Sequence, residues 1–452
     1  MRTKSALLAF GLLTAAILRS GAAFDLPSLV LVLAALLAAL TGCTRRQPET
    51  VESFTLLPWL LGSLVAVELV WLGLRPESAF LPRDRLSLPP FLAALLIGLL
   101  ALSYTWKDCP WPRGRFAAVL VVYFALGAWL LTEAAPEPAI DVWHFQQRAS
   151  ACLLRGDNPY TAEYPNPYSH TRFFGEEMVK DGKIQTFPYP PLSLLLVLPG
   201  YLAGDVRWSL LLAMVGTAGV LVAVGRQLGL PAGHPAELAA IAFLCNPWGV
   251  AVVELAWTEP LLALAASLGV WALASGQRRV VVLALTGVIS LKQYGFLLLP
   301  AFMASRRVGW KDVARAATLA GLIALPFLVW DPRGFWHGIV EFHFYTPLRE
   351  DSLSVLAAVA VATGQQFPGW LGLGAAAAVA GWLWRRGAPA LAGVALGSAA
   401  TILAFFVFNR AAHLNYYWLA LMFLALAVIT AAAEDHGRTV PDPQGDFGGH
   451  HR

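Results

Sequence analysis

The chain has 452 residues, of which 58% are hydrophobic and only 13% charged, and its mean hydropathy is +0.61. So apolar a composition excludes a soluble enzyme of this size, and a net charge of +4 spread over loops gives no basis for nucleic-acid binding. The chain reads as an all-α polytopic integral membrane protein whose solvent is the bilayer.

The first residues, Met1 to Lys4, precede an apolar stretch that resembles a signal peptide. Arg19 interrupts it and further apolar runs follow, so an uncleaved first helix is expected. Spans are expected near 5–20, 26–43, 54–74, 90–106 and 115–133. With Arg2 and Lys4 in the cytoplasm, alternation puts Arg45, Arg46, Lys107, Arg113 and Arg115 there too, as the positive-inside rule asks. Arg75, Arg83 and Arg85 are the exception, accompanied by Glu77 and Asp84. The segment 134–189 then lies outside. Downstream, Arg278-Arg279, Arg306-Arg307 with Lys311, Arg385-Arg386 and the tail from Glu434 all fall inside under one condition. The runs Leu192–Ala203 and Leu353–Ala362 must not cross, and Val280–Ala304 must enter and leave from one face as two half-length helices broken at Lys292. About twelve to fourteen helices are expected, some short or broken. Four cysteines, Cys43, Cys109, Cys152 and Cys245, lie far apart without CxxC spacing, which suits neither a metal site nor a disulfide framework.

The outer segment of roughly 55 residues is far longer than an ordinary connection. Val142, Phe145, Ala149, Cys152 and Leu153 share one face of an amphipathic, interfacial helix with Asp141 at its N-terminus. Asp141 reads as a helix cap or as a general base, roles that are compatible, with His144 one turn away. Tyr160 and Tyr189 read as interfacial belt residues or as the lining of a sugar pocket. Lys292 sits inside an apolar run where a charge costs about 2.5–3.5 kcal/mol at the bilayer centre. It reads as a snorkelling lysine or as a phosphate ligand, with Glu254 and Glu259 as partners. Arg410, His413, Asn415, Tyr416 and Tyr417 form a polar and aromatic cluster at the outer end of the last two spans, suited to an interfacial anchor or to holding phosphate. His337, Glu341 and His343 have spacings that a metal could use but lie in an aromatic, interfacial stretch, and no metal is assigned.

The order of these motifs resembles a known family. Asp141 before an interfacial helix, then Leu154-Arg155-Gly156 to Asn158-Pro159-Tyr160, then Tyr189-Pro190-Pro191-Leu192 with Leu198-Pro199, is similar to polyprenyl-phosphate-sugar-dependent glycosyltransferases of the GT-C superfamily. The nearest likeness is to glycosyltransferase family 87, with its mannosyltransferases. Asn246-Pro247-Trp248, Trp257-Thr258-Glu259-Pro260 and Gly287 to Lys292 follow in the family's order. The resemblance covers residues 115–433, leaving 1–114 as an N-terminal extension and 434–452 as a disordered cytoplasmic tail.

The resemblance implies a GT-C-like helical bundle in a bacterial plasma membrane, with an extracytoplasmic active site and no cofactor. Its donor would be a polyprenyl-phosphate-sugar, mannose being favoured by the likeness alone, and its acceptor a lipid- or glycan-linked hydroxyl. Asp141 would be the catalytic base of an inverting transfer, with Lys292, Arg410 and His413 holding the donor phosphate. His144, Tyr160, Tyr189, Glu259, His343 and Tyr416 are substrate-binding candidates. Some relatives carry a second acidic residue two positions after the aspartate; here that position is Trp143, which removes support for a metal. A secondary transporter also uses broken helices and intramembrane charge, though no internal repeat is evident. A lipid-linked polysaccharide polymerase or ligase would share the lipid phosphate and the large outer loop.

Overall fold

A computed structural model of the chain describes residues 2–44, 56–75, 88–105, 114–133, 138–168, 173–231, 235–365, 367–387 and 390–436. Arg45, Arg46, Arg83, Arg85, Lys107, Cys109, Arg113 and the tail beyond 436, to which topology or disorder was assigned, lie outside the described residues.

Helix accounts for 78% of the structure and strand for 2%. The principal helices are α1 (Arg2–Ser20), α2 (Leu26–Thr44), α3 (Leu57–Leu74), α4 (Leu88–Leu102), α5 (Gly114–Glu133), α6 (Asp141–Leu154), α7 (Pro191–Leu202) and α8 (Arg207–Gln227). They continue with α9 (Ala236–Cys245), α10 (Glu259–Ala274), α11 (Arg278–Leu291), α12 (Trp310–Trp330), α13 (Val355–Thr363), α14 (Trp370–Arg386), α15 (Leu391–Val407) and α16 (Leu414–Asp435). Among the described residues, seven helices, α1, α2, α3, α5, α8, α12 and α16, are long and apolar enough to cross a membrane, which marks an all-α membrane protein. The other expected spans are shorter apolar helices, such as α4, α10 and α15.

Burial grades the bundle from centre to edge. α16 is the central pillar, 94% buried over its apolar window, whereas α12 is only 11% buried and turns Leu322, Leu325, Leu328 and Val329 outward. An apolar helix with so little protein around it is stable only against lipid. α1 packs on α2 and α16, and α2 on α15, so the N-terminal helices share one core with the C-terminal ones.

Contacts sort the helix ends into two faces. At one face Arg2 pairs with Glu434 at 3.0 Å, Arg278 with Asp312 at 2.8 Å, and the Ala392 N–H donates to Glu434. At the other, the Phe24 N–H donates to the Asp351 carbonyl, Arg349 N–H to Arg410 and Leu353 N–H to Ala412. The condition on short elements is met. α7 ends where it began, because the Val206 N–H and the Asp205 carboxylate both engage α6, through Gln147 and Trp143. α13 likewise lies between two segments of one face, Leu353 beside Ala412 and Gly369 beside Arg410. The run from 278 to 304 breaks at Lys292, which takes extended backbone (φ −144°, ψ 145°) between α11 and the 3-10 turn Gln293–Leu298 leading into Leu299–Ala304.

The break needs a close backbone approach at Gly295, where a Cβ would lie 1.8 Å from the Val288 carbonyl oxygen. Gly295→Ala should therefore destabilise the protein by at least about 3 kcal/mol, read as a shifted unfolding midpoint in detergent micelles; an unmoved midpoint would show that this approach is loose. The two-face arrangement has its own test. In a background without native cysteines, Asp157→Cys and Arg278→Cys should react with an impermeant thiol reagent from opposite sides of the membrane, and labelling from one side would overturn it.

Candidate functional site

Five separate segments meet at the face that carries residues 141, 189, 292, 349 and 413. The outer segment contributes first. α6 starts at Asp141, with Ile140 as its N-cap, so Asp141 is the first helical residue rather than the cap itself. α6 buries Val142, Phe145, Ala149 and Cys152, the face expected from the sequence, together with Trp143, His144 and Gln146. A small antiparallel sheet of Tyr164–Pro165, Lys183–Ile184 and Val179–Lys180 follows, with Tyr164 opposite Ile184. It presents Tyr168, whose backbone N–H is held by the Asn166 side chain.

The Tyr168 hydroxyl donates to Asp141 Oδ1 at 2.9 Å, and the Val142 N–H donates to the same oxygen at 2.9 Å. Asp141 keeps partial exposure, and among the described residues no hydrogen bond reaches Oδ2. Burial raises the Asp141 carboxyl above the usual carboxylate range, while the Tyr168 hydroxyl, the Val142 N–H and the Arg349 charge pull it down. A carboxylate with one oxygen fixed, one oxygen open and a raised proton affinity has the attributes of a general base.

Lys292 and Glu259 form the second part. Lys292 Nζ lies 3.0 Å from Glu259 Oε1, both side chains being buried, and the Tyr294 hydroxyl donates to the same oxygen at 2.8 Å. The ammonium also sits 4.8 Å from the centroid of the Tyr189 ring. Lys292 is thus paired within the protein and does not snorkel, and Glu259 is its counter-ion. Glu259 has no exposed surface, and of the two roles the sequence offered it, partner of Lys292 or sugar contact, the structure shows the first.

The irregular segment leading to Tyr189 is clamped. Gln293 and His343 both engage the Pro188 carbonyl, at 2.8 and 3.2 Å, and the Tyr160 hydroxyl donates to the Tyr189 carbonyl at 2.7 Å. Gly338 lies against this segment so closely that a Cβ there would be 2.4 Å from the Phe187 carbonyl oxygen. Tyr160 is fully buried among Phe187, Phe327 and Phe335, so it holds the site from beneath rather than lining a sugar pocket. His343 is committed through Nε2 to the Pro188 carbonyl and likewise positions this segment. His144 is buried edge-on to Trp143, within the packed face of α6.

The third part is the rim formed by residues 349–351 and 413–416. Tyr416 stacks on Phe406 at 3.9 Å and meets Tyr294 edge-on at 5.7 Å, and it lies within electrostatic range of Asp141, Glu259 and Arg349. Burial and the nearby Arg349 charge push the His413 imidazole down to about 4, so at neutral pH it offers a hydrogen bond and no charge. Arg410, expected among the phosphate ligands, instead directs its guanidinium to the carbonyls of Phe367 and Thr346. The cation that faces Asp141 is Arg349, which sequence reasoning missed. It pairs with Asp351 through two hydrogen bonds of 2.9 and 3.0 Å and lies 3.9 Å from the centroid of Phe173. His337 and Glu341 pair with each other at 2.9 Å, away from this cluster. A separate depression of about 610 Å³, lined by Arg155, Asp157, Asn158, Glu163 and Trp330, lies at the far end of α6.

Fold and site together describe a helical membrane protein with a carboxylate, two ion-paired cations and a tyrosine cluster gathered at one face. In comparisons with known proteins, no family model, no curated protein and no solved structure matches the chain.

The buried pair carries a stability prediction. Glu259→Gln leaves an unpartnered buried ammonium and should cost about 3–5 kcal/mol, whereas adding Lys292→Met should recover much of that loss. A double-mutant unfolding cycle measures the coupling, and additive losses would show that the two charges do not act as a pair.

Proposed function

We propose that the protein is a membrane glycosyltransferase that moves a hexose from a polyprenyl-phosphate-sugar to a hydroxyl of a lipid- or glycan-linked acceptor, with inversion. The observation that carries this reading is the disposition of Asp141, anchored through Oδ1 and open at Oδ2, with Arg349 within electrostatic range and Lys292 beside the Tyr189 ring at the same end of the bundle. Order of motifs resembling the GT-C superfamily supplies the substrate class, and mannose is favoured on that likeness. The positive-inside rule supplies the side, since Arg2, Arg278, Arg306 and Arg385 belong to the opposite face, and so the site would be extracytoplasmic in a bacterial plasma membrane.

The proposed step balances as follows. The acceptor oxygen attacks the anomeric carbon while its proton passes to Asp141 Oδ2. The bond from that carbon to the phosphate oxygen breaks, its electron pair staying on the departing polyprenyl phosphate. The leaving group is already stable as an anion, so cations matter more than a proton donor.

Burial decides which cation can hold that phosphate. Glu259 has 0% side-chain exposure and cannot release Lys292 to water, whereas Asp351, at 59%, is readily solvated once displaced from Arg349. Arg349 is therefore the exchangeable anchor, with a planar fork suited to phosphate oxygens. Lys292 keeps Glu259 and contributes its remaining N–H donors. His413 and Tyr416 add neutral donors at the rim.

The deciding experiment is a transfer assay on purified protein in lipid nanodiscs, with radiolabelled polyprenyl-phosphate-mannose, a panel of related donors and a membrane lipid extract as acceptor. Wild type should transfer, and Asp141→Asn, folded to the same degree, should lose at least about a hundredfold in rate. Equal rates would move the base elsewhere. Silence of the folded wild type across the donor panel would favour transport or polymerisation instead.

A further inference from the structure

Tyr168 has no part in the proposed reaction as written, yet its placement is the most elaborately supported in the site. The three-stranded sheet fixes its root, the Asn166 N–H donates to the Gly182 carbonyl, and Asn166 in turn receives the Tyr168 N–H. Its ring stacks on Phe173 at 4.1 Å with planes 22° apart, and the Arg349 guanidinium lies 3.9 Å from the centroid of that Phe173 ring. Its hydroxyl then meets Asp141 from 27 positions away along the chain. One stack thus carries the carboxylate at one end and the exchangeable cation at the other.

We infer that Tyr168 is the positioning residue of the Asp141 base: by donating to Oδ1 it selects Oδ2 as the oxygen presented to the acceptor hydroxyl and holds the carboxylate ready to accept a proton. This rests on the base reading of Asp141 given above. The physical reason is an asymmetry between the two oxygens. A carboxylate free to rotate presents either oxygen in several orientations, whereas one that accepts from Tyr168 and from Val142 through the same oxygen is fixed about its own bond. The hydroxyl also favours the ionised form and so opposes burial, which favours the protonated one, leaving the open oxygen ionised and able to accept a proton. The groups facing Asp141 are Tyr168 from the outer segment, Arg349 from the rim, and Tyr189 and Tyr416 from the walls. Arg349 and Tyr168 both favour the ionised form, and only Tyr168 touches the carboxylate itself.

The test is Tyr168→Phe, read first by a measurement that needs no activity. The carbonyl stretch of the protonated Asp141 carboxyl, assigned by its disappearance in Asp141→Asn, is titrated by infrared difference spectroscopy. Without the hydroxyl its midpoint should rise by about one pH unit, equivalent to a tenfold change in proton affinity. In the transfer assay the acidic limb of kcat/KM should move upward by the same amount. Because the base works ionised, activity should fall about tenfold below that limb, and on the alkaline side only by the smaller factor that a carboxylate free to rotate loses. Asn166→Ala, which frees the backbone of Tyr168 without removing the hydroxyl, should move both readouts in the same direction by less.

An unmoved infrared midpoint in both variants overturns the inference. So does a loss of kcat/KM that is equal at every pH with the acidic limb unmoved, which is what a merely structural tyrosine would produce. Failure of the transferase reading would appear differently, as wild type without transfer or Asp141→Asn with it, and the infrared titration would still decide the role of Tyr168.

Discussion

The ion pair between Lys292 and Glu259 is the constraint on which the rest of the arrangement depends. Two charges so deeply buried survive in an apolar protein only if they meet, and here both Lys292 and the Tyr294 hydroxyl engage Oε1 of Glu259, while Oε2 has no hydrogen-bond partner among the described residues. They meet because two helix ends arrive at the same depth, α11 stopping at Lys292 and α10 starting at Glu259, with the Tyr294 hydroxyl completing the contact. An uninterrupted helix through residue 292 would carry the chain on past this depth. The break sends residues 293–304 back toward the face they came from, so Arg306 lies near Gly387 while Arg278 pairs with Asp312. The direction of every later helix follows from that reversal.

Around the pair, the site is built by residues whose work is mechanical. Backbone carbonyls of a packed irregular segment need donors, and residues 187–189 find them in Gln293, His343 and the Tyr160 hydroxyl. Those donors leave the Tyr189 ring beneath the Lys292 ammonium. An aromatic cluster of Tyr160, Tyr164, Phe187, Phe327 and Phe342 then fills the space between α6, α12 and the outer segment. Three residues that the resemblance put forward as substrate contacts, Tyr160, His343 and Glu259, are instead held in contacts within the protein.

Charge balance separates the two cations in a way that distance alone does not. Both Lys292 and Arg349 have carboxylate partners at about 3 Å, but one partner is sealed in protein and the other faces water. Only the second can be exchanged at modest cost, which gives the proposed phosphate anchor a physical identity. It also explains why the neutral His413 beside it is tolerated: a second fixed positive charge next to Arg349 would repel it, and burial keeps that imidazole unprotonated.

Hydropathy by itself determined the spans, because in lipid every backbone N–H and C=O must be satisfied within its own helix and the apolar run length reports this directly. The distribution of arginines determined that α7, α13 and the stretch around Lys292 do not cross, since any other parity would scatter Arg278, Arg306 and Arg385 over both faces. Lys292 was legible as an ionisable group inside an apolar run, and Asp141 from its place at the start of an amphipathic helix and from the order of motifs. Arg349, Asp351 and Tyr168 were not, because a charged or phenolic side chain in a polar loop looks like any solvated residue. Arg349 and Arg410 are neighbours, the N–H of the first donating to the carbonyl of the second. Which guanidinium turns toward Asp141 was decided by the Phe173 ring and the Asp351 carboxylate that receive one of them, and only the packed loops bring those groups together.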